Sequence, residues 1–249
     1  MLPPVLPIGD DDNATPGFPF VNVALIATCV AVFLYQLTNQ DFTNGFGAVP
    51  AEITSGQDLI GQVRLTLPDG TVALIDEARG PSPIWLTLLT SMFLHGGWSH
   101  LGGNMLFLFI FGDNVEKALG HARYLGFYLA CGVVASLAQV FSAPDSVLPT
   151  IGASGAIAGV LAAYLVYFPR NKVRVLLGFF IVSVPAIAMI GFWAIIQFAN
   201  GFGASAQTGG VAYMAHIGGF IAGVILALLL RPFADLAIGP HVVGYAAPK

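Results

Sequence analysis

The chain cannot hide its apolar side chains from water by folding as an ordinary globule. Six stretches of its 249 residues are apolar runs close to the roughly 20 residues that a bilayer-spanning helix needs. They are residues 20–37, 100–119, 123–141, 154–168, 175–198 and 211–230. The fourth is short, so its start is expected below the membrane surface. Only 9% of residues are charged, against about a quarter in soluble domains. The mean hydropathy is +0.81, and lipid is the expected main solvent. Nine Lys and Arg residues and a formal charge of −4 make no basic patch, so nucleic acid is not an expected partner. Cys29 and Cys131 both fall inside apolar runs and read as packing residues rather than a disulfide framework. The segment before the first run holds Asp10, Asp11 and Asp12 but no Lys or Arg, which is not the charged start of a cleavable signal.

The few cations set an orientation. With six spans, the segments on one side carry Lys117, Arg123, Arg170, Lys172, Arg174, Arg231 and Lys249, and those on the other carry Arg64 and Arg79. By the positive-inside rule both termini are expected in the cytoplasm. The first external loop, residues 38–99, is long. Alternating residues on either side of Pro68-Asp69-Gly70 predict a small β-hairpin there, and the short apolar run 84–94 predicts a re-entrant or interfacial helix. Residues 1–19 and 232–249 read as loosely ordered tails.

Polar side chains at membrane depth are costly and point to function. His100, Asn104, Ser154 and His216 stand 17, 13, 16 and 15 residues before the cytoplasmic charges Lys117, Lys117, Arg170 and Arg231. At ~1.5 Å per residue they share one layer, roughly 20 to 26 Å above the cytoplasmic ends. His100 and Asn104 are four apart and so lie on one helix face. Ser154, in Gly152-Ala153-Ser154-Gly155, follows a polar loop and is expected in the first turn of its helix. Free backbone N–H groups there favour developing negative charge. A serine needs a base to become a nucleophile, and His216 could supply it. His100 and Asn104 could add oxyanion donors. Read singly, these groups are ordinary: Gly-Ala-Ser-Gly is a common packing sequence, and a lone membrane histidine is more often structural. His95 reads as structural, and Asp113, Glu116 and Lys117 as a helix anchor or a partner for neighbouring backbone.

Three motifs together resemble the rhomboid intramembrane proteases. His95 to Asn104 (HGGWSHLGGN) is similar to their second-helix signature, Gly152-Ala153-Ser154-Gly155 to their nucleophile motif, and Ala215-His216-Ile217-Gly218-Gly219 to their base motif. Gly112 to Glu116 matches the end of the second helix, and the likeness runs from about Phe20 to Arg231. It implies an all-α, six-transmembrane-helix bundle over residues 20–231, acting as a serine endopeptidase without metal or cofactor. Ser154 would attack, His216 would move the proton, and His100, Asn104 and the Ser154 backbone N–H would hold the oxyanion. Substrates would be transmembrane proteins, cut at a site open to the external side of a bacterial cytoplasmic membrane. The family's side entrance would lie at the fifth span, with Gly178, Pro185 and Gly191. The sequence departs from the pattern at Ala158, where some members pack an aromatic on the histidine, and at Trp85, which no Arg follows. Another residue must therefore orient His216. The alternatives are a non-catalytic rhomboid-like protein that binds membrane clients, whose usual loss of the serine or histidine is not seen, and a small transporter, for which no inverted repeat is visible.

Overall fold

The computed structural model describes residues 5–10, 17–66, 70–202 and 211–234. Six long helices lie where the apolar runs fall: α1 (Phe20–Gln36), α5 (Trp98–Leu119), α6 (His121–Ser142), α7 (Ser154–Tyr167), α8 (Ala186–Gly201) and α9 (Tyr213–Leu230). Two helical stretches, His121–Ser142 and Tyr213–Phe233, are long and apolar enough to cross a membrane by length and composition. The outside of the bundle is oily. Phe109, Phe141, Phe192, Ile195, Ile225 and Leu229 are all exposed, an arrangement that suits lipid rather than water.

The first loop carries α2 (Gln40–Phe46), α3 (Pro50–Ser55), strands β2 (Gly61–Thr66) and β3 (Val72–Glu77), and a broken helical piece centred on α4 (Thr87–Thr90). β2 and β3 pair antiparallel from Gly61↔Glu77 to Thr66↔Val72. Of the Pro-Asp-Gly turn, Pro68 and Asp69 lie outside the described residues. The loop is tied to the segment before Ser154. Ala48 and Thr150 exchange both backbone hydrogen bonds, at 3.0 and 2.9 Å, and Gly152 N–H donates to the Ser91 carbonyl at 2.9 Å.

Two expectations need correction. The fifth apolar run is not one helix from residue 175. Residues Lys172–Leu177 (β4) and Phe180–Pro185 (β5) form a hairpin, and the helix starts at Ala186. The reason is local: β-branched residues recur through the run, Gly178 takes the positive φ of +62° that a two-residue hairpin turn needs, and Pro185 precedes the first helical residue. Nor is all of the N-terminal tail loose. Val5–Asp10 (β1) pairs antiparallel with β4, giving a three-stranded sheet ordered β1-β4-β5, so the fold is helical with a small sheet added. Of the two tails, residues 1–4, 11–16 and 235–249 lie outside the described residues.

Glycines set the contact between α7 and α9. A Cβ on Gly219 would lie 2.0 Å from the Gly155 carbonyl oxygen, and one on Gly223 would lie 2.5 Å from the Gly159 Cα. Backbone meets backbone there, which only small residues permit. At the other end of the bundle, buried Glu116 accepts the N–H groups of Val21 and Asn22 at 2.9 and 2.7 Å, stabilising the start of α1. Glu116 also contacts His121. Asn22 in turn donates to the Leu108 carbonyl and accepts from Tyr124. Cys29 and Cys131 are both buried and free.

Two consequences are testable. Replacing Gly219 with Val must part α7 from α9; overpacking alone costs about 1–3 kcal/mol. A lower melting temperature and loss of any function of the α7–α9 pair are expected, while unchanged melting would contradict the contact. The second concerns pH. Burial pushes the Glu77 carboxyl up to about 7, with the Glu52 and Asp58 charges adding to it. Neither Glu77 oxygen has a hydrogen-bond partner among the described residues. Burial likewise raises Glu52 to about 7, against the N–H of Leu59, with Asp58 adding. Both carboxyls hold protons in the fold that the unfolded chain releases at lower pH. Their contribution to loop stability is therefore complete below about 4.5 and is lost as pH rises through about 7. Hydrogen exchange over residues 50–80 should be faster at pH 8 than at pH 5.5, beyond the intrinsic rate change, and Glu77→Gln should reduce the difference.

Candidate active site

One end of the bundle collects most of the polar groups singled out in the sequence. His100 and Asn104 lie in the first two turns of α5, Ser154 opens α7, and His216 lies in the first turn of α9. The glycine contact between α7 and α9 brings the last two together: His216 Nε2 is 2.7 Å from Ser154 Oγ. At this distance the hydroxyl can donate to an unprotonated ring nitrogen, the ground state for proton removal.

His100 approaches from α5. Its Nδ1 accepts the Gly96 N–H at 3.3 Å, which leaves its proton on Nε2. That nitrogen faces Gly152, where a Cβ would lie 2.8 Å from it and 3.7 Å from Ser154 Oγ. Gly152 also holds φ at +128°, which disfavours any side chain. Glycine therefore keeps both the turn before Ser154 and the space for the His100 ring. Asn104, one turn along on the same face of α5, is buried, and its Nδ2 has no hydrogen-bond partner among the described residues. Unpaired first-turn N–H groups of α7 complete a set of donors around Ser154.

The orienting group missing at Ala158 comes from a different helix. His216 Nδ1 is 2.8 Å from Gln197 Oε1 on α8. The Trp193 ring, one turn earlier on α8, is tilted against the imidazole with centroids 5.9 Å apart. Ala158 itself is fully buried. Gln197 was not singled out from the sequence. Its signal was available, a lone amide late in an apolar run, but no motif marks it.

His95 does not join the cluster through a hydrogen bond. Its backbone N–H and carbonyl are bracketed by the Gln36 amide at 3.0 and 3.3 Å, and its ring packs edge-on to His100. Among the described residues no three His, Cys, Asp or Glu side chains are grouped to hold a metal. A small cavity is lined by Ser91, Ser136, Thr150 and Ser154. A wider apolar cleft between α5, the β4–β5 hairpin and α8 is walled by Phe107, Val184, Met189, Phe192 and Trp193. Trp193 links that cleft to His216.

Comparison with known proteins gives the same direction. The family described as Rhomboid domain matches residues 83–233. Rhomboid protein 1, mitochondrial, from Saccharomyces cerevisiae is 32% identical over 144 residues, which cover 56% of this chain and 40% of the yeast protein. Rhomboid-like protein 11, chloroplastic, from Arabidopsis thaliana is 33% identical over 168 residues, covering 64% and 58%. Rhomboid protease GluP from Bacillus subtilis is 35% identical over 146 residues, covering 59% and 26%. The chain thus spans less than two thirds of the length of each of these three relatives. The matched region contains α5 to α9 with His100, Asn104, Ser154 and His216, and a match over more than half of the sequence settles the family: this chain belongs to the rhomboid family of multi-pass membrane proteins.

Proposed function

We propose that the chain is an intramembrane serine endopeptidase that cuts transmembrane proteins through a Ser154–His216 dyad. The observation that carries this reading is the 2.7 Å contact between His216 Nε2 and Ser154 Oγ at the start of α7. Ser154 Oγ attacks the scissile carbonyl as its proton passes to His216 Nε2. The oxyanion is held by the His100 Nε2–H, the Asn104 amide and the Ser154 backbone N–H. His216 then returns the proton to the leaving amine. In the second half it takes a proton from water, whose oxygen attacks the acyl ester; the bond to Ser154 Oγ breaks, His216 passes the proton to that oxygen, and the new carboxyl end leaves.

The six long helices act as spans, with both termini in the cytoplasm and the dyad near the external side of a bacterial cytoplasmic membrane. The core runs from 20 to 231, between tails 1–19 and 232–249, with the long external loop at 38–99. The apolar cleft at Trp193 suits an extended transmembrane segment reaching the dyad from lipid, since its walls demand an apolar guest.

The test is cleavage of a model transmembrane substrate by the purified protein. Ser154→Ala and His216→Ala should each lower kcat by about 10³-fold or more. His100→Ala and Asn104→Ala should each lower it by about 10- to 10³-fold, with little change in KM. Cleavage that persists in both dyad variants would contradict the mechanism. Client binding without cleavage by the parent would favour the non-catalytic alternative.

A further inference from the structure

The Gln197 amide has one partner at each end. Its Nε2 donates to the Trp193 carbonyl on its own helix at 3.5 Å, and its Oε1 lies 2.8 Å from His216 Nδ1. The nitrogen is turned to a carbonyl of its own helix, and the oxygen to the imidazole. A carboxamide oxygen can only accept, so His216 must carry its proton on Nδ1. The lone pair is then on Nε2, the nitrogen 2.7 Å from Ser154 Oγ. Gln197 is buried, on a helix with no charged residue. A carboxylate in its place would be costly to bury so deep, whereas an amide orients the ring with a dipole alone.

We propose that Gln197 is a positioning residue for His216, selecting its Nδ1–H tautomer and holding the ring against Ser154, with Trp193 as the ring's flank. The proposal rests on the dyad reading above. It replaces the aromatic shelf absent at Ala158 with a hydrogen bond from α8. Among the described residues, the titratable groups facing His216 are His100 from α5 and Tyr213 from its own helix, whose ring lies 6.5 Å away. Both ring nitrogens of His216 therefore have neutral partners, Gln197 and Ser154.

The experiment is the pH dependence of kcat and kcat/KM on a model transmembrane substrate for the parent, Gln197→Leu, Gln197→Glu and Ser154→Ala. Gln197→Leu should lower kcat at least tenfold with KM within about twofold, because the wrong tautomer presents an N–H to the serine. Gln197→Glu keeps an acceptor but adds negative charge, which favours protonated imidazole. It should recover part of kcat and move the acid limb of kcat/KM up by about one pH unit or more. Should Gln197→Leu fail to fold, the shift in Gln197→Glu carries the test alone. Parental kcat and pH profile in Gln197→Leu, with Ser154→Ala inactive, would overturn the positioning role and leave the dyad standing. So would a Gln197→Glu profile that does not move. Activity surviving in Ser154→Ala would instead overturn the dyad.

Discussion

The contact between α7 and α9 is the constraint on which the rest of the site depends. Gly219 and Gly223 on α9 lie against the backbone of Gly155 and Gly159 on α7, where even a methyl group would collide with a carbonyl oxygen. Ser154 and His216 sit at the head of this seam. Neither side chain is long, and a 2.7 Å hydrogen bond between residues on separate helices requires that the axes approach this closely. Packing here is the direct cause of the contact between Ser154 and His216. Lipid tails give helices little hydrophobic reason to associate, so close van der Waals contact along a small-residue seam is a main source of attraction.

Around that seam, several groups hold Ser154, His216 and His100 in place. Gly152, with φ at +128° and no side chain, turns the chain into α7 and leaves space for His100. Gly96 fixes the His100 tautomer from one side, and Gln197 fixes that of His216 from another. The first loop holds the turn before Ser154 through Ala48, Thr150 and Ser91. The long loop thereby acts on the same few residues as the helices do. At the opposite end, Glu116 and Asn22 tie α1 to α5 and α6, away from Ser154 and His216.

Much of this was legible in the sequence because membrane depth is a one-dimensional quantity. Counting back from Lys117, Arg170 and Arg231 placed His100, Asn104, Ser154 and His216 in one layer, and the structure puts all four in the first two turns of their helices. Asp113, Glu116 and Lys117 read together as a helix anchor or a partner for neighbouring backbone, and it is Glu116 that accepts the backbone N–H groups of Val21 and Asn22. The β4–β5 hairpin was not, because hydropathy scores an apolar hairpin and an apolar helix alike. Strand β1 was hidden for another reason: Val5 pairs with Leu177, and a short tail carries no sign of so distant a partner. Gln197 was visible as a polar residue, but its partner His216 is 19 residues away on another helix, and that approach is set by packing.

The central claim is that Ser154 is a nucleophile activated by His216, and covalent capture tests it most directly. The intact protein, in detergent or lipid, is treated with a fluorophosphonate, and the modified residue is located by peptide mass spectrometry. One phosphonylated residue is expected, Ser154, with labelling lost in Ser154→Ala and greatly slowed in His216→Ala. Labelling of a different serine, or equal labelling of the His216→Ala protein, would contradict it.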